Sequence, residues 1–261
     1  MLQFFKYQGT GNDFIMIDAR NQEPQLGQEQ IAWLCHRRFG IGADGLILLK
    51  PHADYDFQMV YYNSDGREST MCGNGGRCIA QFAFDLGFEQ SELSFLAIDG
   101  AHKAKKLSSG ISLKMTEVKA GEQRGEDYFF DTGSPHHVVF HAQPDELDII
   151  PAARDIRYQP PYAQEGVNVN FVKRVAEGRL SMRTYERGVE DETYSCGTGV
   201  TAAVLAAHQA GNLQQGFALV ETKGGQLALR FEPSAQGGYR DIWLEGPAQR
   251  VFQGSIDLSS I

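Results

Sequence analysis

Cysteine is scarce in this sequence, and no two cysteines have the C-x-x-C spacing of a structural zinc site or a thioredoxin-type motif. Four cysteines in 261 residues are too few for a disulfide scaffold, so we expect reduced thiols and no metal site. Cys35 and Cys78 lie in apolar helical patterns that are typical of packing residues. The two others, Cys72 and Cys196, need a separate explanation.

Basic residues and long apolar runs are also scarce. The 24 Lys and Arg residues are outnumbered by 33 Asp and Glu residues, which argues against a nucleic acid or an anionic membrane surface as a partner. The longest apolar run, residues 200–207, is interrupted by Thr201 and is too short to span a membrane. The first residues lack the apolar core and cleavage site of a secretion signal. We therefore expect a cytoplasmic protein that binds a small polar molecule, with no nucleic-acid or membrane partner.

The segment at residues 192–211, ETYSCGTGVTAAVLAAHQAG, places a cysteine before a helix. Cys196 is followed by two glycines and a run of alanine, valine and leucine, and Gly211 stands where a helix C-cap belongs. A helix N-terminus has unpaired N–H groups and the positive end of the helix dipole, which bind anions and lower the pKa of a thiol. Taken alone, the segment also fits a Gly-rich turn with a buried, inert cysteine.

A second segment, residues 68–87, repeats this pattern with Cys72 in the place of Cys196. The offset is 196 − 72 = 124, and it aligns Gly73 with Gly197 and Gly87 with Gly211 without a gap. The same offset pairs GTGNDF at 9–14 with GSPHHV at 133–138, and GADGLIL at 42–48 with GVNVNFV at 166–172. The sequence therefore predicts two copies of one half, each of ordinary domain size.

The order of predicted elements places the chain in the α+β class, with one main helix and several strands in each half. We expect strands at 3–7, 14–18, 46–49, 56–62, 93–97, 101–106 and 111–115, and helices at 28–39 and 72–86. The second half repeats this order, with a short polar helix at 145–153. We expect two similar domains related by pseudo-twofold symmetry, at residues 1–116 and 117–249, with a linker at 117–126. Residues 250–261 could return to the first domain.

Two opposed thiols suit one kind of reaction. If the halves face each other across the pseudo-twofold axis, Cys72 and Cys196 would reach a common ligand. Moving a proton from one face of an amino-acid α-carbon to the other needs two bases in opposite protonation states, and thiols near a helix N-terminus can provide both. The α-carbon is a weaker acid than a thiol by about twenty pKa units, or about 27 kcal/mol, so the site must stabilise the carbanion strongly.

Seven motifs together resemble those of the diaminopimelate epimerase family: GTGNDF at 9–14, GADG at 42–45, YYNSDG at 61–66, MCGNGGRC at 71–78, GSPHHV at 133–138, GVNVNFV at 166–172 and ERGVEDETYSCGTG at 186–199. The resemblance covers nearly the whole chain. It implies epimerisation of LL- to meso-diaminopimelate in lysine and peptidoglycan precursor biosynthesis, without pyridoxal phosphate or any other cofactor. It also implies a strongly curved, mostly antiparallel sheet around a central helix in each domain, and it is compatible with a homodimer.

The resemblance also assigns residues. Cys72 and Cys196 would be the acid/base pair, and His136 and Glu186 would tune the two thiols. The substrate-binding residues implied are Gly73, Asn74, Gly197 and Thr198 for the reacting carboxylate, Asn12 and Glu186 for the adjacent ammonium, and Asn63, Asn168 and Arg187 for the distal end. Many family members have Asn where this chain has Ser134, in a loop that contributes to the distal pocket. Serine is shorter and lacks the paired donor and acceptor of an amide.

Several alternatives stay open from the residues themselves. His136 could fix a turn after Pro135, and Glu186 with Arg187 could form an ion pair at a strand end. A racemase of another amino acid, such as histidine, could use the same cysteines. A non-enzymatic anion- or nucleotide-binding module is disfavoured because neither Gly-rich loop carries a phosphate-binding lysine. A Cys-His hydrolase would leave one of the two repeated cysteines without a role.

Overall fold

The computed structural model of the protein describes residues 1–258 and contains two compact units. Unit 1 comprises Met1–Leu113 together with the segment that starts at Gly246, and unit 2 comprises Lys114–Glu245. Within residues 1–258, none of the helices combines the length and the apolar character that crossing a membrane requires.

The elements follow one another in the same order in both halves of the chain. The first half contains β1 (Leu2–Gly9), β2 (Asn12–Asp18), α1 (Gln28–Cys35), β3 (Gly45–Lys50), β4 (Phe57–Asn63), β5 (Glu68–Ser69), α2 (Gly73–Asp85), β6 (Glu92–Ala97), β7 (Gly100–Leu107) and β8 (Gly110–Lys114). The second half contains β9 (Glu122–Arg124), β10 (Asp127–Asp131), β11 (Pro135–Phe140), α3 (Ile149–Arg157), β12 (Asn168–Ala176), β13 (Arg179–Glu186), β14 (Asp191–Thr193), α4 (Gly197–Gln209), β15 (Phe217–Thr222), β16 (Gly225–Pro233) and β17 (Tyr239–Gly246). The last strand is β18 (Gln249–Ile256).

Strand pairing repeats as well. In unit 1, β1 is antiparallel to β2, β2 is parallel to β3, β3 is antiparallel to β4, β4 is parallel to β6, and β6 and β7 continue the sheet antiparallel. In unit 2, strands β10, β11, β12, β13, β15 and β16 pair in the same sequence of directions. The predicted α+β class is confirmed, and the internal repeat is a repeat of topology.

Helix α2 is the centre of unit 1, and its glycines explain how close it lies to the sheet. Each glycine in a helix costs about 1 kcal/mol relative to alanine. A Cβ atom added at Gly75 would lie 3.2 Å from the Ile47 side chain, and one at Gly76 would lie 2.8 Å from Met71 Sδ. The absent side chains therefore let the first turn of α2 pack directly against β3 and its neighbours.

Helix α4 takes the same position in unit 2 and is buried along almost its whole length. Its sequence is apolar on every face, as expected for a helix that strands surround. Both α2 and α4 end in a Schellman motif: the N–H of Phe88 donates to the carbonyl of Ala83, and that of Asn212 to Ala207. Gly87 and Gly211 supply the left-handed residue that this motif needs, with φ of +96° and +74°.

The sheet of unit 1 is buried on both faces, which explains the continuous apolar run of β3. Ile15, Leu46 and Leu48 pack against Ile31 and Leu34 of α1. The side chains of Phe14, Ile47 and Met59 lie on the other face, beside Gly75 of α2. A strand covered on both faces needs apolar residues at every position rather than at alternate ones.

Four features differ from the sequence predictions. The helix expected at 28–39 ends at Cys35, because the His36 ring accepts the N–H groups of Arg38 and Phe39 and turns the chain. The helix expected at 145–153 is instead a 3-10 turn at Pro144–Glu146 followed by α3. The linker expected at 117–126 contains β9, which pairs with β10. No strand was predicted at β18, which lies in the segment that could return to the first domain, and it pairs antiparallel with β1.

The turn after β4 gives a test of the backbone geometry. Gly66 has φ of +80°, and an added Cβ would collide with the carbonyl oxygen of Gln28. We expect Gly66→Ala to lower the free energy of unfolding by about 3 kcal/mol or more. Gly87→Ala is the matched control, because its φ is +96° but its added Cβ meets nothing within 4 Å. It should cost about 1 kcal/mol. Equal losses for the two variants in urea denaturation would contradict this account.

Candidate active site

Cys72 is the N-cap residue of α2. Its backbone is extended, with φ of −90° and ψ of 135°, and its carbonyl accepts the N–H of Gly76 at 2.7 Å. The first N–H groups of the helix precede this bond and have no acceptor within the helix. The first turn of α2 contains no acidic residue whose carboxylate could accept hydrogen bonds from these N–H groups. The start of α2 is therefore suited to hold an anion beside the Cys72 thiol.

Asn12 lies next to this thiol. Its Oδ1 accepts a hydrogen bond from Cys72 Sγ at 3.5 Å and another from Asn74 Nδ2 at 3.3 Å. A two-residue turn with positive φ at Thr10 and Gly11 brings Asn12 to the start of β2. The structure thus brings together three of the predicted site residues in unit 1.

Asp44, which the sequence analysis did not single out, fixes Asn12. Its Oδ2 accepts from Asn12 Nδ2 at 2.6 Å, so the amide oxygen of Asn12 faces the thiol. Asp44 is in turn held by Arg37 at 2.6 Å, and Arg37 also binds Asp13 at 2.7 Å. Burial would raise the pKa of Asp13, but hydrogen bonds from Arg37 and Lys6 lower it to about 2. Two cations and two carboxylates therefore balance each other behind Asn12.

Asn63 ends β4 at the same edge of the sheet. It is exposed and pairs with Gly45, the residue after Asp44. Its backbone is fixed by the following turn, since its N–H donates to Arg67 and its carbonyl accepts from Gly66, both at 2.9 Å. The start of β2, the start of β3 and the end of β4 thus carry polar side chains along one edge.

Cys196 is the N-cap residue of α4 and only 9% exposed. Its carbonyl accepts the N–H of Val200 at 2.9 Å, so this helix also begins with N–H groups that have no helical acceptor. Its sulfur lies 3.3 Å from the hydroxyl of Thr198. The Thr198 carbonyl accepts from Thr132 at 2.9 Å, which ties the first turn of α4 to the loop after β10.

A hydrogen-bonded chain leads from His136 to this thiol. Asn170 Nδ2 donates to the carbonyl of His137 and to His136 Nδ1, the latter at 3.1 Å. Because a carbonyl can only accept, this atom of Asn170 is the amide nitrogen, and His136 Nδ1 must accept. The proton of a neutral His136 is then on Nε2, which lies 2.9 Å from Thr198 Oγ1. Thr198 is left free to donate its own hydrogen to Cys196.

His136 is completely buried, and burial lowers its pKa to about 3. The positive charge of Arg187 contributes to this lowering. The imidazole is therefore neutral at pH 7, and it acts on Cys196 through hydrogen bonding rather than through a positive charge. Asn170 was missed in the sequence analysis, although its spacing from Asn168 in GVNVNFV puts both side chains on one face of β12.

Asn168 joins two other predicted residues. Its Nδ2 donates to Ser134 Oγ and to the carbonyl of Pro135, both at 2.9 Å, and its Oδ1 accepts the N–H of Arg187 at 2.9 Å. The shorter Ser134 side chain therefore reaches Asn168 directly. Asn168 is buried, with both ends of its amide engaged in fixing the segments on either side.

The guanidinium of Arg187 is exposed and has no carboxylate partner within residues 1–258; it donates to the carbonyl of Glu165 at 3.2 Å. The ion pair with Glu186, one of the alternatives, is not formed. The carbonyl of Glu186 accepts the N–H of Glu190, and the Glu190 side chain is held by the hydroxyls of Tyr158 and Tyr185. Arg187 is thus carried on a turn that several side chains fix.

The other two cysteines are buried. Burial raises the pKa of both Cys35 and Cys78 to about 12, so both stay protonated near neutral pH. Cys72 and Cys196 are the two cysteines at helix N-termini, a position that favours the thiolate form. Each unit offers a thiol, N–H donors for an anion and an ordered set of polar side chains, which together suit proton transfer at a carbon next to a carboxylate.

Comparison with known proteins gives the family of the chain. The diaminopimelate epimerase family profile matches residues 4–119 and 128–251. The chain is 47% identical to the diaminopimelate epimerase of Flavobacterium psychrophilum over 257 residues, which cover 98% of this chain and all of that protein. It is 40% identical to the diaminopimelate epimerase of Chlorobaculum tepidum over 259 residues, which cover 96% of this chain and 99% of that protein.

A solved structure shares the fold. A probable proline racemase from Agrobacterium radiobacter matches with a TM-score of 0.67 at 15% identity, covering 99% of this chain and 94% of that chain. At this identity the likeness concerns the fold alone. The matched profile and the sequence relatives show that the chain belongs to the diaminopimelate epimerase family.

Proposed function

We propose that this protein interconverts LL- and meso-diaminopimelate by a two-base mechanism without a cofactor, with Cys72 and Cys196 as the acid/base pair. The observation that carries the proposal is the thiol at the N-cap of the buried helix in each repeat. Each thiol has its own polar partner, which is Asn12 for Cys72 and Thr198 for Cys196.

The reaction inverts one α-carbon. One cysteine, as the thiolate, takes the α-proton, and the electron pair left behind is delocalised into the adjacent carboxylate. The other cysteine, as the thiol, delivers its proton to the opposite face of the carbon. The two sulfurs have then exchanged protonation states, so the reverse reaction starts directly from the product state. N–H groups at the helix N-termini, from Gly73, Asn74, Gly197 and Thr198, stabilise the growing charge on the carboxylate.

The polar neighbours of the thiols support their roles. A hydroxyl that donates to sulfur stabilises the thiolate, and neutral His136 orients the Thr198 hydroxyl for this bond at Cys196. The Asn12 oxygen accepts from Cys72 and favours its thiol form. Glu186 and Asn12 are the candidates for binding the substrate ammonium, and Glu186 is also a candidate for tuning a thiol.

Arg187 supports a substrate with a second charged end. A planar guanidinium can bind a carboxylate through two parallel hydrogen bonds, and no carboxylate of residues 1–258 occupies it. Asn63, Asn168 and Ser134 are the further candidates for the distal end. A racemase of an amino acid without a distal carboxylate, such as histidine, would not need this cation. This feature favours diaminopimelate over the alternative.

The same chemistry suggests the cellular setting. A mechanism in which two thiols exchange protons needs both cysteines in the reduced form, which suits a reducing compartment. We therefore place the protein in the cytoplasm, where it supplies meso-diaminopimelate for lysine and peptidoglycan precursors. A homodimer is compatible with the exposed Val251 and Phe252 of β18. Light scattering with size-exclusion chromatography measures the oligomeric state directly.

Removal of either thiol tests the two-base mechanism. We expect Cys72→Ala and Cys196→Ala to abolish epimerisation of LL-diaminopimelate, and the Ser variants to be severely impaired, because a hydroxyl is a much weaker acid than a thiol. The readout is deuterium incorporation at the α-carbon in D2O, together with turnover. Cys35→Ala is the matched control, since its buried thiol takes no part in the mechanism. Near-normal epimerisation by either Ala variant would disprove the mechanism.

The distal end is tested at Arg187. We expect Arg187→Ala to weaken substrate binding by about 2 kcal/mol, or about thirtyfold in KM, because a charge-assisted pair loses one partner. Arg187→Lys should recover only part of this loss, because an ammonium cannot form the two parallel hydrogen bonds. Arg38→Ala removes an exposed arginine of unit 1 and serves as the control. An unchanged KM in Arg187→Ala would move the distal site elsewhere and would favour the other racemase.

The neutral state of His136 predicts how stability depends on pH. Its pKa falls from 6.5 to about 3 on folding, so the unfolded chain binds a proton that the folded chain does not. This contribution is present in full above pH 6.5 and is lost as pH falls, by about 2 kcal/mol at pH 5. His136→Gln should remove this part of the pH dependence. Equal slopes of unfolding free energy between pH 7 and 5 in the two proteins would show that His136 is protonated when folded.

A further inference from the structure

Arg77 is a buried cation in the first turns of α2 and has no carboxylate partner within residues 1–258. Its side chain is 0% exposed. Its Nη2 donates to Asn74 Oδ1 at 2.9 Å and to Thr10 Oγ1 at 3.2 Å, and its Nη1 donates to the carbonyl of Gly73 at 3.4 Å. Its Nε has no hydrogen-bond partner. All three acceptors are uncharged.

A buried charge without a counter-ion is expensive for the fold. Transfer of a cation out of water costs several kcal/mol unless an anion or a full set of hydrogen bonds offsets it. Burial lowers the pKa of Arg77, yet a guanidinium stays protonated near neutral pH. The positive charge of Arg77 therefore needs an anion other than a carboxylate of residues 1–258.

Three carboxylates of unit 1 that bind neighbours of Asn12 or Cys72 are already engaged. Asp13 and Asp44 are balanced by Lys6 and Arg37, as described above. Asp99, in the turn between β6 and β7, accepts the N–H of Met71 at 3.3 Å and lies 3.3 Å from the ring of His102. No carboxylate of these groups lies within ion-pair distance of Arg77, which leaves the thiols as candidate anions.

The thiols differ in this respect. The pKa of Cys78 is raised to about 12 by burial, so this neighbour stays a neutral thiol. Cys72 is partly exposed and stands at the positive end of the α2 dipole, which favours its thiolate. Attraction to Cys78 and Cys72 acts against the effect of burial on the pKa of Arg77. Cys72 is therefore better placed than Cys78 to carry a negative charge, and it is the one with a proposed chemical role.

The internal repeat shows that the helix does not need this cation for its own structure. The offset of 124 places Thr201 of α4 at the position of Arg77. Thr201 Oγ1 donates to the carbonyl of Gly197 at 3.1 Å, as Arg77 does to the equivalent carbonyl of Gly73. A neutral hydroxyl therefore serves the same backbone group in unit 2. The positive charge is particular to the helix that begins at Cys72.

We propose that Arg77 is the resident counter-charge of Cys72: its guanidinium stabilises the thiolate and holds the Asn74 amide in the orientation that faces Asn12. Since a guanidinium only donates, its bond to Asn74 Oδ1 leaves Nδ2 directed at Asn12 Oδ1. Arg77 is a positioning residue and touches no reacting atom. The proposal rests on the proposed function only in assigning Cys72 a role, and its test does not depend on turnover.

The two influences on Cys72 act in opposite directions. The Asn12 oxygen accepts a hydrogen bond from the thiol and favours the protonated form. Arg77 and the helix N-terminus favour the thiolate. A cysteine that alternately donates and accepts a proton must be able to exist as thiol and as thiolate near neutral pH. Asn12 and Arg77 together provide this balance.

The test measures the reactivity of Cys72 itself. In a full-length Cys196→Ala background, the rate of alkylation by iodoacetamide is followed from pH 5 to 10, and its midpoint reports the pKa of Cys72. The Cys72→Ala, Cys196→Ala double variant gives the baseline from the buried cysteines. We expect Arg77→Met to raise the midpoint by about one unit, with alkylation at pH 7 about tenfold slower. Arg77→Lys should keep most of the effect, because it keeps the charge.

Two further variants make the result decisive. Lys103→Met removes an exposed positive charge of β7 and should leave the midpoint unchanged. Arg77→Gln keeps a hydrogen-bond donor without the charge and carries the same expectation as Arg77→Met if the latter does not fold. The melting temperature of each variant shows whether it is folded under the conditions of the alkylation assay. If Arg77→Met or Arg77→Gln is folded and the Cys72 midpoint is unchanged, the proposal is overturned. The activity of Cys72→Ala tests the proposed function separately and does not affect this result.

Discussion

Both units depend on a helix N-terminus that is built into a sheet and whose first N–H groups have no acceptor within the helix. Such groups are costly to bury, and the apolar bodies of α2 and α4 offset this cost through the strands packed around them. Glycines in the first turn allow the close approach, as at Gly75, where an added Cβ would already press on Ile47. The arrangement keeps a set of oriented N–H donors next to a cysteine, and it requires no cofactor to hold an anion there.

One scaffold carries two different polar environments. The helix, its N-cap cysteine and its Schellman end are the same in both units, whereas the side chains around the sulfur are not. Cys72 donates to the oxygen of Asn12, in a surrounding that contains the buried cation Arg77. Cys196 lies against a hydroxyl that a neutral histidine orients. The proposed reaction needs one acid and one base, and the difference between the repeats would give each thiol its own means of control.

The geometry of the site also depends on residues that were not predicted as site residues but that contact predicted ones. Asp44 sets the orientation of Asn12, and Asn170 sets the tautomer of His136. Asn168 binds Ser134 and the backbone of Arg187, so its first effect is to fix the distal segment. Each of these side chains binds more than one neighbour through its polar atoms, which is why a single substitution would disturb several groups at once.

The sequence by itself determined the repeat, the two cysteine helices and the α+β class, because caps, glycine positions and apolar periodicity are local signals. It also determined which residues match the family motifs. Tertiary structure decided what depends on contacts between distant segments. Examples are the pairing of β18 with β1, the end of α1 at Cys35, and the contacts of Asn170 and Arg77. The motif MCGNGGRC does not predict that its arginine, Arg77, is buried without a carboxylate partner. That fact arises only when the sheet closes around the helix, since burial and the lack of a counter-ion are properties of the packed chain.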